Sequence, residues 1–245
     1  MPNRVLALFA HPDDAEFLCA GTLALLALRG WRVTIITATP GDCGSAEVGS
    51  AEISAIRRSE ASRAAGILGG EYFCLEERDL AIDYNTITRR KFTEAIRRAQ
   101  PDLVLTHPLV DYMADHEIVG RLVRDAIFAA PMPNFEAGSA PSLPAIPHLY
   151  YSDPITIADA HSVLPPATCE VDITDVMHTK REMLEQHQSQ REWLRRQHGV
   201  DEYLRLQEEI GRRRGASADC EFAEGFQQHL GHPYPTDDLI RAAIQ

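Results

Sequence analysis

Short apolar runs recur through the first half of this chain, and a helical stretch follows each of them. Arg4–Ala10 (RVLALFA) is apolar after its first residue, Val33–Thr39 (VTIITAT) is rich in β-branched residues, Tyr72–Leu75 is short, and Asp102–Thr106 (DLVLT) repeats the pattern. Runs of this kind suit strands buried on both faces, as in a parallel sheet. Between them Glu16–Leu28, Ala51–Leu68, Thr88–Ala99 and Asp115–Ala130 read as helices, with Gly30, Gly69-Gly70 and Pro101 as stops. Alternation at this spacing predicts an α/β fold: a mostly parallel sheet with helices on both faces.

The second half is less regular. Pro131–Pro147 holds five prolines and reads as a loop. His148–Ser152 and Cys169–Thr174 read as strands, Thr174–His198 and Asp201–Ile210 as charged helices with Gly199 and Gly211 as stops; beyond Gly215 only Glu221–His229 shows a pattern. The expectation is one domain over all 245 residues, with 1–130 as its core and 131–245 as an irregular elaboration forming part of the pocket. Lys+Arg is 24 against 36 Asp+Glu, a formal charge of −12, which repels phosphate backbones and argues against a nucleic-acid partner. The five cysteines are scattered without a C-x-x-C pair, so neither a thiolate zinc knuckle nor a disulfide framework is expected, and a cytoplasmic location fits. The apolar runs Val5–Ala10 and Leu18–Leu28 are too short to span a membrane.

Open α/β sheets bind ligands at the carboxyl ends of their strands. His11-Pro12-Asp13-Asp14 follows the first strand, Pro40 to Ser45 the second, and His107-Pro108 with Asp111 to His116 the fourth. A catalytic zinc takes three protein ligands and keeps a fourth position open. His11, Asp14 and His116 supply such a set, and Asp13 then stands beside the ion as a candidate general base. The plainer reading makes Asp13, Asp14 and Asp115 helix caps and His11 a core histidine. Asp42 either reaches the site or closes a Gly-Asp turn.

The motifs extend along the chain. Ala10-His11-Pro12-Asp13-Asp14, Thr37 to Asp42, Arg57-Arg58-Ser59-Glu60-Ala61, Asp111 to His116, Val171-Asp172-Ile173-Thr174 with Lys180 and His187-Gln188-Ser189-Gln190, and Ala223-Glu224-Gly225-Phe226 stand in order. Together they resemble the LmbE-like (PIG-L) family of zinc-dependent de-N-acetylases. The resemblance implies a Rossmann-like sheet and one zinc per chain held by His11, Asp14 and His116. It also implies Asp13 as general base and Arg57 holding an N-acetylated amino-sugar conjugate; Asp42 and Tyr112, in the strand-end loops, are further candidate substrate contacts. Relatives often form trimers or hexamers, so a homo-oligomer is a further expectation.

One position departs from the family. Met113 and Ala114 stand where its motif carries His and Pro. That His stabilises the oxyanion or protonates the leaving amine, and a thioether does neither. His107, Tyr112, His187 or a neighbouring subunit's histidine are candidate substitutes. Two rival readings follow: a catalytically impaired or re-purposed zinc-binding protein, and another metal hydrolase such as a phosphoesterase.

Overall fold

The computed structural model describes residues 2–155, 163–198 and 202–244. The first half folds as β1 (Arg4–Phe9), α1 (Asp14–Leu18), α2 (Ala20–Leu28), β2 (Arg32–Thr37), α3 (Ser50–Ile67), β3 (Glu71–Cys74), α4 (Thr86–Ala99), β4 (Leu103–Thr106) and α5 (Ala114–Ala129). The second half adds β5 (His148–Ser152), β6 (Cys169–Asp172), α6 (Met177–Glu185), α7 (Gln188–His198), α8 (Glu202–Ser217), β7 (Ala223–Gln228) and α9 (Leu239–Ile244).

One seven-stranded sheet runs β3-β2-β1-β4-β5-β7-β6. β1 to β5 are parallel, and β7 lies antiparallel between β5 and β6. The sequence direction reverses between β1 and β4, which is where a doubly wound sheet opens a crevice at its carboxyl edge. β1 sits at the centre and alternates: Val5, Ala7 and Phe9 enter the core on one face, Leu6, Leu8 and Ala10 the core on the other. That period of two on doubly buried strands explains the unbroken apolar runs.

Several expectations need correction. Glu16–Leu28 is two helices, broken at Cys19. The break exposes the N–H groups of Gly21 and Thr22, and the buried Glu224 carboxylate accepts both, at 2.9 and 2.7 Å. A side chain from β7 thus replaces one turn of helix continuity. Thr174–His198 is likewise divided, into a 3-10 turn over Thr174–Val176, α6 and α7, with Gln186 and His187 at the second break. The strand expected to Thr174 ends at Asp172. Gly211 stops nothing: α8 runs on to Ser217. Gly211 and Gly215 let the helix lie close to Phe222 and to the Cys220 and Glu221 carbonyls, where a Cβ would stand 3.2, 2.7 and 2.6 Å away. Gly199 and Asp201 lie outside the described residues. α9 carries no signal that the sequence reading picked up.

No helix among the described residues is long and apolar enough to cross a membrane.

Candidate functional site

The carboxyl ends of β1 and β4 bring three donors together. His11 and Asp14 flank the turn from β1 into α1, and His116 lies in the first turn of α5; their ligand atoms all fall within 4.8 Å of one another. His11 Nδ1 stands 3.4 Å from Asp14 Oδ2, and His116 Nε2 stands 3.5 Å from Asp14 Oδ1. Ligands at about 2.0–2.2 Å from a tetrahedral ion are about 3.3–3.6 Å apart, so this spacing fits a small divalent cation. Charge points the same way. Asp14, Asp79 and Asp115 surround His11, and all four side chains are buried. Burial alone would push the His11 and His116 pKa values down, yet the carboxylates around them hold both above the ordinary imidazole range. Asp14 is held well below the usual carboxylate range; burial opposes this, and the charges of His116 and His107 override it. A buried, acid-rich pocket of this kind calls for a cation.

Both imidazoles are oriented from behind. His116 Nδ1 pairs with Asp111 Oδ1 at 3.1 Å. His11 Nε2 faces Asp115 Oδ2 at 3.3 Å and Asp79 Oδ1 at 2.8 Å, while Leu80 N–H donates to the same Asp115 oxygen at 2.8 Å. Such contacts fix ring orientation in metal sites. Asp115 thus supports His11. Asp115→Asn keeps the shape but weakens that support, and a loss of roughly 10–100-fold in metal affinity by chelator competition is expected.

Asp13 occupies the residue before α1 with φ 113, a left-handed conformation that glycine favours. Two donors converge on its Oδ2: the Tyr203 hydroxyl and Arg57 Nη2, the latter at 3.2 Å. Burial raises the Asp13 pKa, although Arg57 pulls against it.

Arg57 is 4% exposed, so it is not the solvated side chain that an arginine on a helix usually is. It reaches from α3 to the Pro12 carbonyl at 2.6 Å and the Gly41 carbonyl at 3.4 Å. Gly41 (φ +70) and Gly44 make room for it: a Cβ there would stand 2.1 and 2.6 Å from Arg57 Nη1. Gly41→Ala is therefore expected to dislodge the guanidinium and to reproduce most of the turnover defect of Arg57→Ala, with metal content unchanged in both variants. Glu60 and Gln190 complete this corner. The Glu60 carboxylate accepts Ser189 N–H and hydroxyl at 2.9 and 2.6 Å, and Gln190 Nε2 donates to the Gly44 carbonyl at 3.0 Å.

The cluster floors a cavity of about 460 Å³, whose lining includes His11, Asp13, Asp14, Arg57, Tyr112 and His116. Asp42 is absent from that lining. Its carboxylate accepts the Asp79 N–H at 2.9 Å and the Ser50 hydroxyl at 3.0 Å, and it pairs with Arg78 at 2.8 Å, so it braces the loop that carries Asp79. Tyr112 is 62% exposed and sets its ring edge-on to His116 at 5.4 Å. Two candidate substitutes for the missing histidine lie elsewhere. His107 is fully buried, stacked on His116 at 3.9 Å, its pKa pushed down to about 4 by burial and by His116. His187 is buried against Glu16 at 3.5 Å. Met113 itself lines the cavity.

The sequence reading missed Asp79, Gln190, Trp193 and Tyr203 as lining residues. Asp79 follows the third strand, so the strand-end rule had reach enough to find it. Tyr203 stands at the start of a charged helix and carries no local signal.

Comparison with known proteins adds to this geometry. The family described as PIG-L, GlcNAc-PI de-N-acetylase, matches residues 6–127. The diacetylchitobiose deacetylase of Thermococcus kodakarensis is 31% identical over 201 residues, which is 77% of this chain and 70% of that enzyme. The 4-oxalmesaconate hydratase of Pseudomonas putida is 28% identical over 162 residues, 62% of this chain and 61% of that one. Among solved structures, the N,N'-diacetylchitobiose deacetylase of Pyrococcus horikoshii superposes with a TM-score of 0.80 at 25% identity, covering 97% of this chain and 88% of that one.

Proposed function

Because the chain belongs to the PIG-L family of GlcNAc-PI de-N-acetylases, we propose that it is a zinc-dependent hydrolase that removes acetyl from an N-acetylated amino-sugar derivative. The observation that carries this reading is the grouping of His11, Asp14 and His116 in the floor of one cavity, with the Asp13 carboxylate in its lining. Two imidazoles and one carboxylate suit zinc and leave a coordination position open.

His11, Asp14 and His116 are assigned as the ligands. A zinc ion held by them supplies Lewis acidity, which acidifies water and polarises the amide carbonyl. Asp13 takes the proton of the attacking water. Tyr203 and Arg57 both donate to Oδ2, so Oδ1 is the oxygen assigned to that transfer. The carbon–nitrogen bond then breaks, and the proton held by Asp13 passes to the departing amine, leaving acetate and a free amino sugar. Arg57 fixes the Asp13 carboxylate and the β1 and β2 loops, and sugar hydroxyls meet the Gln190 side of the cavity. Arg57→Lys is expected to recover little of an Arg57→Ala defect, since an ammonium lacks the planar fork whose Nη2 meets Pro12 and Asp13 and whose Nη1 meets Gly41.

His116→Ala should strip the metal under mild chelation, as should His11→Ala, while the far-ultraviolet circular dichroism stays that of a folded α/β chain. Stoichiometric zinc of unchanged affinity in either variant removes that residue from the ligand set. The decisive assay is acetate release from N-acetylglucosamine glycosides by the zinc-loaded protein.

A second reading comes from the hydratase relative: addition of water to a double bond, with Asp13 as the same proton acceptor. A polycarboxylate substrate would want several cations. Arg57 is the basic side chain in the described lining, and it already serves Asp13. That favours the sugar. Loss of absorbance from a conjugated dicarboxylate, with no acetate from any N-acetyl sugar, would reverse the preference.

A further inference from the structure

Beside the catalytic cavity runs a second hollow of about 550 Å³, formed by the carboxyl ends of β4 and β5. Tyr112 lines both, and the two also meet along the chain at Pro154 and Ile155. The apolar part of the second hollow's wall is Leu109, Val110, Pro154, Val163 and Pro165, while Ser152, Asp153 and Gln227 line the rest. Val110 is 79% exposed and Val163 89% exposed, an unusual outlay of apolar surface for residues beside a polar catalytic centre. Met113 and Ile155 add apolar lining to the catalytic cavity itself.

Resting on the deacetylase reading above, we infer that this trough binds an apolar aglycone of the substrate, aromatic or branched aliphatic, joined to the amino sugar that sits over the metal. A free monosaccharide or a second sugar would leave Val110 and Val163 facing water, whereas an aryl group seated past Tyr112 covers them. Tyr112, shared by both linings, is what makes the occupant a part of the substrate. The rigid prolines hold the walls apart at little entropic cost.

The test pairs the methyl and phenyl glycosides of N-acetylglucosamine as substrates with the methyl and phenyl glycosides of glucosamine as ligands. The latter lack the scissile amide, so calorimetry on the intact protein reads binding without turnover. The phenyl compounds should exceed the methyl ones about tenfold or more, both in kcat/KM and in affinity. Val110→Asp should erase that preference and leave the rate on the methyl glycoside unchanged. Equal affinities, no binding of the phenyl glucosaminide at millimolar concentration, or a preference that survives Val110→Asp overturns the assignment. Absence of acetate from every glycoside sinks the deacetylase reading instead, because the calorimetric comparison is independent of it.

Discussion

Asp13→Asn should fold, keep its metal and lose about two to four orders of magnitude in acetate release, the usual worth of a positioned general base. The substitution is gentle in every other respect. Asn tolerates the left-handed backbone better than most residues, so φ 113 at this position remains accessible. Its amide oxygen still accepts from Tyr203 and Arg57, so the clamp persists. What disappears is the ability to take a proton. Metal analysis, circular dichroism and the rate on one N-acetyl glycoside, measured together, separate this from misfolding. Near-normal turnover would place the proton acceptor on another residue.

The other large effect concerns stability. Glu224→Ala should cost about 3–5 kcal/mol, because it leaves Lys180 as an uncompensated buried charge. Lys180 is 1% exposed and Glu224 4%, and Lys180 Nζ lies 2.6 Å from Glu224 Oε1. The carboxylate also accepts the Gly21 and Thr22 N–H groups and the Thr22 hydroxyl, at 2.6 Å, so its loss uncaps α2 as well. Lys180→Met should cost less, since three neutral donors still surround the carboxylate. At about 2–4 °C per kcal/mol for a chain of this size, Glu224→Ala should lower Tm by roughly 6–20 °C. Urea unfolding of both variants checks the order, and a Lys180→Met protein less stable than Glu224→Ala would refute it.

The parallel half of the sheet was legible because β1, β2 and β4 are buried on both faces and helices separate them, so one pattern fixed both strand type and direction. The breaks were not. Cys19 interrupts a helix only because Glu224, distant in sequence, offers a better partner to Gly21 and Thr22 than the local carbonyls do. A window along the chain sees no such competitor. The same limit applies to the site. His11, Asp14 and His116 sit at strand ends where the topology rule looks, and the structure groups them. The burial of Arg57 is invisible along its own helix, because it depends on Gly41 and Gly44 leaving a hole on another element. Lys180, Ser189, Gln190 and Glu224 matched motif strings, but only the fold shows that they tie α6, α7 and β7 to α2, α3 and the β2 loop. His107 and His187 looked like spare catalytic groups and are packed beneath the site instead.

The site also has a temporal order built into it. Its proposed ligands are complete once His116 has been synthesised, and they rest on β1 and β4, which pair directly. Tyr203, which holds the proposed base, comes from α8 and is made much later. At about 5–20 residues per second on a ribosome, several seconds separate the two. The proposed ligands can thus come together, with Arg57 already beside Asp13, before the second donor to that carboxylate has been made. Cleavage or premature termination ahead of α8 removes Tyr203, and Glu224 with it, so the fragment should compete for zinc more weakly than the whole chain and show little hydrolysis.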